Sequence, residues 1–147
     1  MAKLTLAIAK TIVDATLAQA RRLNLAPLAV AVLDAGGHLV AYQREDGAGI
    51  VRFDLAFGKA WGSLGMGFGT RELAQRAIRS ATFVAALAAI SNGRMVPSPG
   101  GVLVLDVDGD VIGAVGVSGD AGDQDEACAL VGVAAAGLGA APGLKPG

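Results

Sequence analysis

The chain is short of almost everything from which disulfide scaffolds, metal clusters and nucleic-acid surfaces are built. It has one cysteine, Cys128, and one histidine, His38. A single thiol excludes an internal disulfide framework and any thiolate metal cluster within one chain. Lys and Arg total 12 against 13 Asp and Glu, and no basic run supplies the positive footprint that a phosphate backbone requires, so no nucleic-acid partner is expected. Long apolar runs are missing too. Lys10 and Asp14 interrupt the stretch Leu4 to Leu17, which leads into no small-residue cleavage site, and no uninterrupted segment approaches bilayer length. These absences predict a cytoplasmic protein without a membrane partner.

What is present is mostly apolar: 53% of residues are hydrophobic and 17% charged, more than one small soluble core usually hides. Homo-oligomerisation is the natural outlet. A length of 147 residues predicts one domain over 1–141 with a loose tail over 142–147.

Ala9, Ile12, Val13, Thr16, Leu17, Ala20 and Leu23 recur at helical spacing, which predicts an amphipathic opening helix capped by Thr5. Pro27 breaks it, and Leu28–Leu33 reads as a strand buried on both faces. Ala35-Gly36-Gly37-His38 then suits a hairpin turn into Leu39–Gln43. A helix follows over Arg52–Met66, with Gly58 and Gly62 four apart so that another backbone can approach. Thr70 is the expected N-cap of a second helix running raggedly towards Ile90. Residues 92–101, with two prolines and Gly100-Gly101, form a loop. Val102–Val107 and Val111–Val117 make another hairpin around Asp108-Gly109, and Asp123–Leu138 closes the domain as a helix with Asp123 at its N-cap and Glu126 completing a capping box. The order is α-β-β-α-α-β-β-α, an α/β (α+β) fold in which helices layer a central antiparallel sheet. The two hairpins share Asp-x-x-Gly at matching places, Asp34 to Gly37 and Asp106 to Gly109. Common turn chemistry is favoured as the reason over the alternative of an ancient duplication.

The stretch Ala31-Val32-Leu33-Asp34, Gly37-His38-Leu39-Val40-Ala41, Arg44 and Asp46-Gly47-Ala48, followed by Ala56 with Lys59-Ala60, Thr70, Pro99-Gly100-Gly101-Val102, Gly109, Val111 through Gly119, and Gln124-Asp125-Glu126, resembles the GlcG/HbpS family. That family includes the C-terminal domain of some PduO-type adenosyltransferases. The resemblance covers nearly the whole chain in order. It implies a profilin-like three-layer α/β/α fold, assembly as a higher oligomer up to an octamer, and in some members haem binding or degradation, so haem is a possible cofactor. Two departures stand out: Leu103 replaces the proline that often follows Gly-Gly-Val, and the opening helix carries no histidine for haem.

Arg44, Asp46 and Lys59 are the leading site candidates. Lys59 lies among apolar positions, where an unpaired ammonium is costly, so it needs either an ion-pair partner such as Asp46 or Asp54, or an anionic ligand. A guanidinium and an ammonium together can receive a small carboxylate. Gly100 and Gly101 beside a strand can turn backbone amides towards that ligand, and Ser118 and Asp125, which border the start of the last helix, are further ligand-binding candidates. The expectation is a small anion bound in a cleft near Arg44, Asp46, Lys59 and Gly100-Gly101. The alternative is a cofactor-free lyase, isomerase or oxidase on a small oxygenated acid, with Lys59, Asp46 or His38 as acid or base. Gly65, Gly67 and Gly69 follow a helix and lack the order of a nucleotide loop. A Ser118–His38–Asp125 triad has no supporting motif.

Overall fold

The computed structural model describes residues 2–143. Helix α1 (Leu6–Arg22) opens the chain, and the Thr5 hydroxyl caps it by accepting the Ile8 amide at 3.2 Å. Strands β1 (Ala29–Asp34) and β2 (Leu39–Arg44) form the first hairpin. Helices α2 (Arg52–Met66), α3 (Thr70–Arg79) and α4 (Ala81–Ile90) follow, then β3 (Gly101–Leu105), β4 (Val111–Ser118), α5 (Gly122–Ala135) and β5 (Gly139–Ala141). All neighbouring strands are antiparallel, in the order β2-β1-β4-β3-β5. The mixed α/β fold with a central antiparallel sheet is therefore the one expected from the sequence.

Strand β1 sits inside the sheet with both faces covered. Val30 and Val32 pack with Ile12 and Val13 of α1 and Cys128, Ala129 and Val133 of α5, while Ala29, Ala31 and Leu33 face α2. Each such fully buried valine or leucine contributes about 1.5–3 kcal/mol. Small residues set the layer spacing. A side chain at Gly116 would meet the Ala56 carbonyl, and one at Gly132 would meet Thr16, so α2 lies directly on β4 and α1 directly on α5. Gly58 and Gly62 receive the 93–96 segment, as their four-residue spacing suggested.

Four local expectations are corrected. The second helix breaks at Ser80, whose φ of −139° and ψ of 54° are not helical, so two helices stand where one ragged helix was expected. Thr70 is not a cap: Gly69 takes that place, and the Thr70 hydroxyl accepts the Gly101 amide at 2.8 Å. Helix α5 is capped at Ala121 without a side-chain bond, because Asp123 and Glu126 are drawn to Arg71. Strand β5 was not expected, since its three small residues carry no strand pattern and are placed by pairing with β3. In the expected tail, the Pro142 carbonyl accepts the Arg71 amide, and residues 144–147 lie outside the described residues.

Candidate functional site

Apart from a register shift near each turn, the strands of both hairpins pair continuously, and their open ends align in one row. Arg44 of β2 pairs with Ala29 of β1, and Ala29 pairs with Ser118 of β4. Directly paired residues point to the same side of a sheet. Ala29 packs against Ala56 of α2, so Arg44 and Ser118 also leave the sheet towards α2. Two strand spacings, roughly 10 Å, separate their backbones. Gly100 ends the row on the other side, its carbonyl accepting the Val117 amide at 3.0 Å.

Helix α2 adds two cations. Lys59 is 3% exposed, and its ammonium donates to the Val117 carbonyl at 2.8 Å and to Asp125 Oδ2 at 3.1 Å. Asp125 Oδ1 accepts the Asp120 amide at 3.0 Å, which fixes the carboxylate at the first turn of α5. The Lys59 partner is thus Asp125, 66 positions away, rather than Asp46 or Asp54. Burial acts against both charges. It pulls the Lys59 pKa down while the Asp125 charge opposes the fall, and it pushes Asp125 up while Lys59 opposes the rise. Gly100, with φ +126°, has no room for a side chain between the Val117 carbonyl and the Lys59 ammonium, and Gly101 lies against the Lys59 backbone.

Arg52 is the site residue that sequence reasoning missed. Half-buried on the first turn of α2, it donates to Ser118 Oγ at 3.0 Å, and its charge further depresses Lys59. Arg44, exposed, donates to the Ala48 carbonyl at 3.2 Å. Both guanidiniums therefore rest on neutral oxygens, with no carboxylate partner among the described residues. Its position one turn ahead of Ala56 was a signal for Arg52, but only once Ala29, Ala56 and Ser118 were known to meet.

The row thus brings Lys59, Gly100, Gly101, Ser118 and Asp125 together, with Arg44 on the same face. Asp46 is exposed and lines a groove of about 550 Å³ between the ends of α1 and β2, together with Arg21 and Arg44. His38 is elsewhere. It sits at the turn end of the first hairpin, exposed, its Nδ1 3.0 Å from Asp34. The length of β1 separates it from Ser118, so no triad with Ser118 and Asp125 forms.

Comparison with known proteins places these residues in company. A family model described as haem degrading protein HbpS-like matches residues 4–134. An uncharacterized 15.0 kDa protein from the dhaT-dhaS intergenic region of Citrobacter freundii is 35% identical over 125 residues, covering 85% of this chain and 86% of that one. Among solved structures, a PduOC–haem complex superposes with a TM-score of 0.84 at 28% identity, over 94% of this chain and 98% of that one. The Klebsiella pneumoniae protein ORFY gives 0.82 at 29% identity, with 93% of each chain covered. HbpS itself gives 0.78 at 30% identity, over 91% of this chain and 90% of that one.

Within one subunit the possible iron donors differ in access: His38 is exposed on a turn with Nδ1 on Asp34, which leaves Nε2 as the nitrogen that could meet a metal, while three others are closed off. Cys128 is wholly buried between α1 and the sheet, and burial pushes its thiol up to about 11, against the thiolate that iron would require. Met95 is packed into the cluster of Leu73 and Val84. The Tyr42 hydroxyl is sealed from solvent.

Proposed function

The chain belongs to the HbpS-like family, and from that premise we propose that it binds a small anionic molecule on the α2 face of the strand-end row. Arg44 and Arg52 take the ligand's charge, Ser118 orients Arg52, and the Lys59–Asp125 pair with Gly100 and Gly101 shapes the wall behind. One observation carries this reading: two guanidiniums share a face and have only neutral oxygens as partners. A carboxylate gains two parallel charge-assisted bonds from each guanidinium it meets. Lys59 is already satisfied by Asp125 and the Val117 carbonyl, so it contributes field rather than a direct clamp. Asp46 lines a separate groove with Arg21 and Arg44 and is left outside the proposed clamp. The haem bound by the PduOC relative carries carboxylates, which is chemistry this row can meet without an iron ligand.

The test is a thermal-shift screen of small mono- and dicarboxylates against the intact protein, followed by calorimetry on the best. A saturable shift that falls at least ~10-fold in affinity in Arg52→Gln is expected, since one charged hydrogen bond is worth about 1.5–3 kcal/mol. Affinity unchanged from the parent in both Arg52→Gln and Arg44→Gln would overturn the proposal.

A second reading makes the chain an enzyme, a lyase or isomerase on a small oxygenated acid. It is favoured by the depressed Lys59 amine beside Arg52, since a lowered pKa suits an amine to proton transfer. Turnover of an acid that binds, lost in Lys59→Met with Arg52 binding retained, would separate it from simple binding.

A further inference from the structure

Two surface features stand apart from the strand-end row, and they carry opposite charge. The first is the tip of the β3–β4 hairpin. Val107 projects there at 93% exposure between Asp106, Asp108 and Asp110, whose carboxylate oxygens lie within 4.8 Å of one another. Asp106 is occupied inside the turn, accepting the Asp108 amide at 2.9 Å and the Asp110 amide at 3.0 Å. The side chains of Asp108 and Asp110 are exposed and have no partner among the described residues. Three crowded carboxylates around a bare valine make an acidic collar on an apolar knob.

The second feature is the groove of about 390 Å³ that opens where the helix breaks at Ser80. Phe83, 61% exposed, lies in it. Arg76 and Arg79 stand on its rim. Glu72 is claimed by Arg76 at one helical turn, which leaves Arg79, exposed and without a carboxylate partner among the described residues, as the open positive charge. Helix α4 beyond it carries no charged residue and buries only Val84, with Ile90 79% and, on α3, Ile78 85% exposed. An apolar surface of this kind on a chain that is 53% hydrophobic calls for a cover.

We propose that the cover is a second copy of this chain, with the β3–β4 tip of one subunit seated in the α3–α4 groove of the next. Val107 meets Phe83, and Asp108 and Asp110 meet Arg79. Charge decides the arrangement. Two grooves set face to face would oppose arginine to arginine, and two tips would oppose carboxylate clusters, so a twofold contact through either feature is repulsive. The head-to-tail contact pairs opposite signs each time. Such a heterologous contact repeats from subunit to subunit and closes a ring where its rotation allows. Both halves are on every chain, so no foreign partner is needed to satisfy them.

Charge reversal on the full chain tests this, with mass read by sedimentation velocity at several concentrations and folding checked by circular dichroism. Arg79→Asp and Asp108→Arg should each weaken assembly at least ~10-fold, the effect expected of setting like charges against each other across an interface. An equimolar mixture of the two variants should assemble again, because each acidic tip then finds the Arg79 of the other protein and each Asp108→Arg tip finds the Arg79→Asp groove. A chain that is monomeric throughout, variants that assemble like the parent, or a mixture that stays apart would overturn the proposal. Loss of assembly on adding EDTA would also overturn it, by assigning the carboxylate cluster to a metal ion instead.

Discussion

The two hairpins are the same device at their turns and different devices at their open ends. In the first, Asp34 Oδ1 accepts the Gly36 and His38 amides, both at 3.0 Å, while the Asp34 amide donates to the His38 carbonyl at 2.9 Å. In the second, Asp106 makes the corresponding three bonds with Asp108 and Asp110, at 2.9, 3.0 and 2.9 Å. Gly37 and Gly109 both adopt a φ of +83°. The repeated Asp-x-x-Gly is therefore turn chemistry, and what varies is the fifth residue. His38 folds back on Asp34 and mutes its charge, whereas Asp110 adds a third carboxylate. At the open ends the divergence is larger: one hairpin finishes in Ala29 and Arg44, the other in Gly101 and Ser118 beside Lys59 and Asp125. Buried charge is concentrated where the two copies of the motif are not alike.

The largest effect comes from breaking the difference at the open end. Asp125→Ala leaves the Lys59 ammonium buried with only a carbonyl for company, and removing one member of a buried pair typically costs about 3–5 kcal/mol. Chemical denaturation should show a loss in that range. Lys59→Met combined with Asp125→Leu should recover most of it, since an apolar pair has no charge to desolvate. If the single and double variants are equally unstable, packing rather than charge holds that end together. Next in size is breaking the likeness at the turns. Alanine at Gly37 or Gly109 forces a left-handed backbone on a residue with a Cβ, at about 1–2 kcal/mol. Gly109→Ala meets nothing else, while Gly37→Ala also brings its methyl to 3.4 Å from Trp61. That is an ordinary van der Waals contact, so the two hairpins should lose urea midpoint by similar amounts, and a clearly larger loss at Gly37 would mean that Trp61 cannot yield.

Much of this was legible in the chain itself, for physical reasons that differ by element. The hairpins announced themselves because Asp and Gly at fixed offsets can do little else, and α1 because its apolar stripe and Thr5 agree. The break at Ser80 was hidden because apolar residues continue through it without glycine or proline. The cap of α5 was misjudged because Asp123 and Glu126 fit a local pattern, yet a distant Arg71 outbids the local amides for both. The candidate site was legible as residue types only. Lys59 needed a counter-charge by burial alone, but nothing local distinguishes Asp125 from Asp46 or Asp54. Arg52 became visible once sheet register aligned Arg44, Ala29 and Ser118.

The smallest expected effect, and the finest test of the comparison, is acid sensitivity. Burial raises Asp34, but the His38 amide, the His38 imidazole and the Gly36 amide together more than offset it, and amides from Asp110, Asp108 and Ala2 act on Asp106, so both carboxyls titrate below the ordinary value of 3.8. A depressed folded-state pKa contributes stability that is present above the unfolded value, near ~3.9, and is lost as pH falls through the folded value. The protein should therefore lose stability steeply below about pH 4. Asparagine keeps an oxygen that accepts the same amides but cannot take up that proton. Asp34→Asn and Asp106→Asn should each flatten the slope of urea midpoint against pH between about 4 and 2.5, by lowering the midpoint at neutral pH while leaving it nearly unchanged in acid. If only the Asp34 variant flattens it, the exposed turn of the second hairpin is held by its backbone bonds alone, and its carboxylates serve the surface rather than the fold.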